Sequence, residues 1–319
     1  MTETQRSDLN CLLNTIGPDA TIESVKRPEQ GNHKDTTVVS LSSGQTVVVQ
    51  ASPAGTDGQN DLKTEGALMR AIAAQTTVPV PEVIAAPTID TRQYLVTEYI
   101  PGDDLHKRFV SIPEATRRSI ARSVGEILAS LHEVFVFDRC GSLTTSDASE
   151  IRVQNGDVPA RWLSAHAIAG IDRLPAQFDD LADRARDAVE HGRPTSDAIR
   201  LYPWDLRPGN AIVRDGEIVA VLDWGGPIAA PVGLSIAKTE HMVARWYGGN
   251  IDGLTVAFRD GYRSVRGYVR PTQAERIAAV AHAAVDSKGV VTRPGYPERT
   301  GDRAIEFHRA SLFDALSSP

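Results

Sequence analysis

Two carboxylates and an amide stand close together past the middle of the chain. Asp205 and Asn210 lie in Pro203-Trp204-Asp205-Leu206-Arg207-Pro208-Gly209-Asn210, and Asp223 follows 13 positions later in Val221-Leu222-Asp223-Trp224. A carboxylate at the base of a hairpin can orient a hydroxyl and accept its proton. An amide oxygen and a second carboxylate are the hard oxygen ligands that Mg²⁺ prefers. Asp and Asn are also ordinary turn and cap residues, and each of the three taken singly reads that way too.

The element that must hold these groups is a hairpin. Asn210-Ala211-Ile212-Val213, the turn Arg214-Asp215-Gly216 and the strand Glu217 to Asp223 supply it, embedded among helices. Helical patterns run over Glu114 to Val134, Ala176 to His191, Leu234 to Tyr247, Leu254 to Arg266, Thr272 to Asp286 and Arg303 to Leu316. The first third reads differently. Thr36 to Leu41 and Thr46 to Ala51 are β-branched runs around Ser43-Gly44, a hairpin signature, and Tyr94 to Ile100 is a third strand. Between them Asp61 to Ile72 has helical spacing, stopped by Val78-Pro79-Val80-Pro81. A boundary between two lobes falls at Pro101-Gly102, and Ser287 to Gly301 reads as an exposed loop.

Composition narrows the function. The 319 residues are enough for two lobes or one large domain, and the 41% hydrophobic content is ordinary for a globular chain. No apolar run approaches the ~20 residues of a bilayer span, which excludes a membrane-spanning protein. A formal charge of −7 without any Lys/Arg block disfavours nucleic acid as a partner. Two distant cysteines, Cys11 and Cys140, make neither a disulfide framework nor a thiolate metal site, and the start lacks signal-peptide features, so a cytoplasmic location is expected.

The order D-L-x-P-x-N, strand, turn, strand, L-D-W resembles the catalytic and metal-binding hairpin of the aminoglycoside phosphotransferase and choline kinase group, whose usual form is H-G-D-x-x-x-x-N then I-D-W/F. Other landmarks fall in that family's order: Gly31-Asn32, Glu65, Val78-Pro79-Val80-Pro81, Glu98-Tyr99-Ile100-Pro101-Gly102 and Leu128-Ala129-Ser130-Leu131-His132. The resemblance covers Gly31 to Trp224 and, more loosely, reaches Tyr262. It implies an α+β, bilobal protein-kinase-like fold. Residues 1–100 would form a nucleotide-binding lobe with a small antiparallel sheet and one helix, and residues 101–319 a larger, mainly helical catalytic and acceptor-binding lobe. It further implies Asp205 as catalytic base or hydroxyl-orienting carboxylate, Asn210 and Asp223 as Mg²⁺ ligands, and Arg207 as neutraliser of the transferring phosphoryl group or a solvated loop arginine. The backbone from Glu98 to Ile100 would hold the adenine edge, below the Gly31 to Lys34 loop.

Two departures from the family pattern, Gln50 and Pro203-Trp204, and the residues around them carry their own expectations. Gln50 stands where the family has a strand lysine, and a glutamine hydrogen-bonds phosphate without bringing charge. Glu65 shares the inward face of its helix with Leu62, Leu68, Met69 and Ile72, so its carboxylate needs a cation there. Lys34 either supplies that cation or is a solvated loop tip. Pro203-Trp204 replaces His-Gly, with Trp204 packing under the loop or lining the acceptor pocket, and His132 reads as a core or capping histidine or one near the catalytic loop. The acidic run Phe178 to Asp187 could attract a cationic acceptor such as an amino sugar or amino alcohol, or is a solvated helix face. The resulting expectation is an enzyme moving the γ-phosphate of ATP or GTP to a small-molecule hydroxyl with Mg²⁺. A pseudokinase that binds nucleotide or protein partners is the alternative. A protein kinase fits less well, because Asp223-Trp224-Gly225-Gly226 is followed directly by Pro227 rather than an activation segment.

Overall fold

Period-two alternation builds the first sheet. β1 (Ile22–Lys26), β2 (Asp35–Leu41) and β3 (Thr46–Ala51) form a meander in which every second residue of β3 is buried. α1 (Leu62–Gln75) follows, its first turn capped by the Asp61 carboxylate, which accepts from the Lys63 and Thr64 amides at 3.1 Å. β4 (Val83–Ala85), β5 (Thr88–Ile89) and β6 (Arg92–Glu98) complete an antiparallel sheet of order β1-β2-β3-β6-β4, with β5 on β6. One face buries Val39, Leu41, Val47, Val49, Tyr94 and Val96 together. The other carries Leu95 onto α1, and Gln50 is the direct cross-strand neighbour of Leu95. Gln50 therefore faces the same side as the helix that bears Glu65.

The structure, a computed structural model, describes residues 12, 21–27, 34–53, 61–145, 150–286 and 288–317. Gly31 lies outside the described residues.

Beyond Pro101 the chain forms β7 (Asp103–Asp104), the short α2 (Leu105–Arg108) and the long α3 (Glu114–Val134). β8 (Val136–Phe137), β9 (Cys140–Thr145) and β10 (Ile151–Asp157) precede α4 (Pro159–Ile171) and α5 (Asp179–Glu190), which a single 3₁₀ turn introduces at Ala176–Phe178. β11 (Ile199–Tyr202) runs into the candidate loop, and β12 (Ala211–Arg214) and β13 (Glu217–Val221) form the hairpin. β14 (Ile228–Pro231), α6 (Val232–Ala244), α7 (Ile251–Val265), α8 (Gln273–Ala284) and α9 (Asp302–Ser317) finish the chain.

The later part is helical but not only helical. β10-β9-β14-β11-β8 form a second antiparallel sheet, and β13-β12-β7 a third. Sequence periodicity misses β8, β9, β10 and β14 because they are short or carry polar and glycine residues, as in Cys140-Gly141-Ser142-Leu143-Thr144-Thr145. It also misses α4. The third strand ends at Glu98 rather than Ile100, since the Pro101 ring removes the next ladder donor. The segment 288–301 is not wholly exposed: Pro294 and Gly295 are buried, and Arg299 donates to the Trp246 carbonyl at 3.2 Å. Ser287 lies outside the described residues.

One core runs from α1 to the end of α7. Leu62, Leu68, Ile72 and Leu95 belong to the same cluster as Leu105, Ile120, Leu128, Leu206 and Phe258. At its centre α3 crosses α7, and a Cβ on Gly125 would stand 2.1 Å from the Phe258 carbonyl oxygen, so only glycine permits that approach. This packing fixes β11 and the hairpin against α3 and α6, which is what gives the loop between them a single geometry.

Candidate active site

The loop from β11 to β12 closes on itself. Asn210 Nδ2 donates both to the Asp205 carbonyl at 2.8 Å and to Asp205 Oδ2 at 2.9 Å. Arg207 Nε donates to the same Oδ2 at 2.9 Å, and its Nη1 reaches the Tyr247 hydroxyl at 2.9 Å. Tyr247 comes so near that a Cβ on Gly209 would lie 2.1 Å from its hydroxyl oxygen. Asp205 keeps 26% of its side chain exposed, so its other oxygen is reachable. Burial works against its charge, but Arg207, Lys238 and the Asn210 amide outweigh it and hold the carboxyl below the usual range. The Arg207 guanidinium, for its part, loses solvation but is held charged by Asp205 and Tyr247.

The hairpin carries Asp223 beside Asn210, because the Leu222 amide donates to the Asn210 carbonyl at 2.7 Å. Asp223 has φ +61°, a left-handed conformation uncommon outside glycine, and its side chain is 51% exposed. With Nδ2 of Asn210 spent on Asp205, its Oδ1 is the atom left to accept or ligate. An amide oxygen and an exposed carboxylate fit Mg²⁺, which keeps waters and shares phosphate oxygens rather than sitting in an all-protein cage. Among the described residues no group of three or more His, Cys, Asp or Glu forms such a cage.

Lys34 reaches this site from the first sheet. Its Nζ donates to Glu65 at 2.6 and 2.8 Å and to Asp223 Oδ1 at 2.9 Å. Lys34 stands one pleat period before Thr36, which pairs with Gln50, so the ammonium issues from the same side of the sheet that Gln50 faces. The Gln50 side chain itself makes no hydrogen bond among the described residues. Burial would depress the Lys34 pKa, but Glu65 and Asp223 together raise it, and the group stays an ammonium. Burial raises the Glu65 carboxyl, Lys34 opposes this, and the like charge of Asp223 adds to the rise. The Trp224 amide also donates to Glu65, at 3.2 Å.

At the edge of the first sheet, the Glu98 carboxylate is spent locally, accepting from the Glu82 amide at 2.9 Å. Tyr99 N donates to the Thr46 carbonyl at 3.2 Å, whereas the Ile100 amide has no partner among the described residues. His132 lies in the core: its Nε2–H donates to the Leu201 carbonyl at 3.1 Å, and Nδ1 accepts from Tyr262 at 2.8 Å. Burial pushes it down to about 3, so it is neutral and takes no part in the loop. Trp204 is half-buried with its ring 4.9 Å from Lys238 Nζ. In α5, Asp180 pairs with Arg309 at 2.6 Å and Asp183 with Arg186 at 3.3 Å, both at the surface.

Sequence reading missed Tyr247 and Lys238. Tyr247 had no signal, since its hydroxyl matters only through a tertiary contact. Lys238 had one, a lone lysine within Leu234-Ser235-Ile236-Ala237-Lys238, but no spacing tied it to Asp205.

An antiparallel sheet packed with one helix over an Asp/Asn hairpin and a helical body is the kinase-like architecture. Residues 24–267 match the Phosphotransferase enzyme family (APH), and the chain belongs to that family. An aminoglycoside 3'-phosphotransferase of Streptomyces fradiae is 26% identical over 178 residues, 54% of this chain, and the match spans 62% of that relative's length. Macrolide 2'-phosphotransferase MphH of Brachybacterium faecium superposes with a TM-score of 0.62 at 20% identity, covering 98% of each chain. Aminoglycoside phosphotransferase APH(4)-Ia, in a ternary complex with AMP-PNP and hygromycin B, gives 0.63 at 11% identity, covering 96% of this chain and 97% of that one. At such identities the two structures speak for the fold alone.

Proposed function

We propose that this protein transfers the γ-phosphoryl group of ATP or GTP to a hydroxyl of a small molecule, with Mg²⁺ as the metal. The observation that carries the reading is Asp205: an ionised, reachable carboxylate clamped by Arg207 and Asn210 beside Asp223. A bond forms between the acceptor oxygen and the γ-phosphorus while the bond to the β,γ-bridging oxygen breaks, and Asp205 takes the hydroxyl proton. Arg207, next to that carboxylate, would neutralise the transferring phosphoryl group. Asn210 and Asp223 would hold Mg²⁺, which when bound neutralises phosphate charge. Residues 1–100 would cover the nucleotide, with the Ile100 amide, which has no partner among the described residues, and the Glu98 carbonyl on the adenine edge. Lys34 would provide the phosphate-side cation that Gln50 lacks, moving from Asp223 to the nucleotide as it binds. The match to the phosphotransferase family and the aminoglycoside 3'-phosphotransferase relative support small-molecule transfer as the class.

Asp205→Asn tests it. Release of ADP or GDP in the presence of hydroxylated acceptors should fall by at least about 100-fold while nucleotide still binds. Full activity in that variant refutes the mechanism. The second reading, nucleotide binding without transfer, draws on Gln50; it gains if Mg·ATP binds and no wild-type turnover occurs with any acceptor.

A further inference from the structure

Lys238 is 4% exposed, yet its ammonium makes no hydrogen bond and no ion pair among the described residues. It sits on α6, directly after β14, the strand that pairs with β11 at the entrance to the Asp205 loop. Its Nζ lies 4.9 Å from the centre of the Trp204 ring, whose face offers a cation only a partial substitute for water. Asp205 is the carboxylate that acts on it, from beyond contact distance, while Arg207 and Arg173 add like charge. The imidazoles nearby do not compensate. His282 stacks on His166 with ring centroids 3.8 Å apart, and its Nδ1 is 2.6 Å from Arg173 Nη2. Burial and the surrounding cations keep both rings neutral.

A buried ammonium with unspent donors is costly unless something supplies acceptors. Asp205 is already committed to Arg207 and Asn210 through one oxygen, and its other oxygen is needed for the acceptor hydroxyl. Around Trp204, therefore, two cations without a carboxylate partner among the described residues stand against aromatic rings: Lys238 over the Trp204 ring and Arg173 on His282, which stacks on His166 and meets Trp204 edge-on. The acidic residues of α5, in contrast, are paired at the surface with arginines.

We infer that the acceptor carries an oxyanion, a carboxylate or phosphate, which the Lys238 ammonium binds while Asp205 takes the hydroxyl of the same molecule. This rests on the phosphotransfer reading above and names its substrate class. It makes Lys238 a specificity-determining residue and excludes a cationic acceptor as the preferred one. The lowering of the Lys238 pKa to about 8 accords with a charge awaiting its partner, and an anion would restore it.

Matched probes test this: glycerol, ethanolamine and glycerate; tyrosol, tyramine and 4-hydroxyphenylacetate; and glycerol 3-phosphate for the phosphate arm. ADP release with Mg·ATP, and melting temperature with each probe alone, are measured in wild type and Lys238→Met. The acids should be preferred, the two oxyanion types separating by which arm responds. Lys238→Met should raise their KM by roughly 10- to 100-fold with less change in kcat. Without ligand, Lys238→Met should melt higher than wild type, since it removes an unpaired buried charge; a purely structural lysine would give the reverse. Preference for the amines, or a preference that Lys238→Met leaves intact, overturns the inference while leaving phosphotransfer standing. If no probe is turned over and Mg·ATP does not raise the melting temperature, phosphotransfer fails. The oxyanion site then stands or falls on whether the acids stabilise wild type and not Lys238→Met.

Discussion

Replacing Lys34 by methionine removes the cation from a buried carboxylate. Lys34 and Glu65 side chains are 9% and 3% exposed, and two contacts of 2.6 and 2.8 Å join them. After substitution Glu65 keeps, among the described residues, only the Trp224 amide at 3.2 Å as a donor. Breaking a buried pair by removing one partner costs about 3–5 kcal/mol, because the orphaned charge must stay desolvated or take a proton. The contact to Asp223 adds little, since that side chain is 51% exposed and water replaces the ammonium there. For a chain of this size such a loss lowers the melting temperature by on the order of 10 °C. Denaturant unfolding of wild type, Lys34→Met, Glu65→Gln and the double variant closes the cycle. The double variant should recover most of the loss, a coupling of at least about 2 kcal/mol. Nucleotide affinity should fall in Lys34→Met as well. Stability within about 0.5 kcal/mol of wild type, or additive single effects, would refute the argument for the pair.

Other expectations concern the loop and the buried histidines. Burial pushes His132 and His282 down to about 3 and His308 to about 4, so all three fold in the neutral form. Their depressed values mean that the unfolded chain binds protons first. Their contribution to stability is whole above pH ~6.5 and is lost as pH falls toward 4, at about 4 kcal/mol per pH unit for the three together. Unfolding free energies should be nearly flat from pH 7.5 to about 6.5 and steepen toward that slope by pH 5, and a flat profile down to pH 5 contradicts it. Gly209→Ala should lower kcat by displacing Tyr247, and Tyr247→Phe in the same chain should restore part of it, which a purely backbone effect would not allow. Arg207→Met should lower kcat by about 100-fold and move the acidic limb of the pH–rate profile upward, since Arg207 holds the Asp205 carboxyl down. An unmoved limb would uncouple the two residues.

The chemistry-bearing hairpin was legible because turn chemistry and β-branched runs are local signals: Arg214-Asp215-Gly216 and the alternation of β3 are written in a few adjacent residues. Long amphipathic helices were legible for the same reason, and α3 begins and ends where its pattern does. The second sheet was not, because β8 has two residues, β9 is held by β14, which is distant in sequence, and its neighbour β10 is a run with polar residues and a glycine. Glu65 announced a need for a cation through its place on an apolar helix face, and Lys34 meets it at hydrogen-bond distance across the hairpin. Lys238 and Tyr247 come to Asp205 only through the packing of α6 and the turn after it, which no local pattern encodes.

The central claim is that Asp223 and Lys34 complete a nucleotide site that Gln50 alone could not. Melting temperatures with Mg·ATP, Mg·GTP and metal-free nucleotide, in wild type and Asp223→Ala, address it without knowledge of the acceptor. A ligand that binds only the folded chain raises stability by RT ln(1+[L]/Kd), about 2.7 kcal/mol at a hundredfold excess over Kd. A metal-dependent rise in wild type that disappears in Asp223→Ala is the predicted result. No rise with either nucleotide, or a rise that Asp223→Ala leaves intact, would contradict the account.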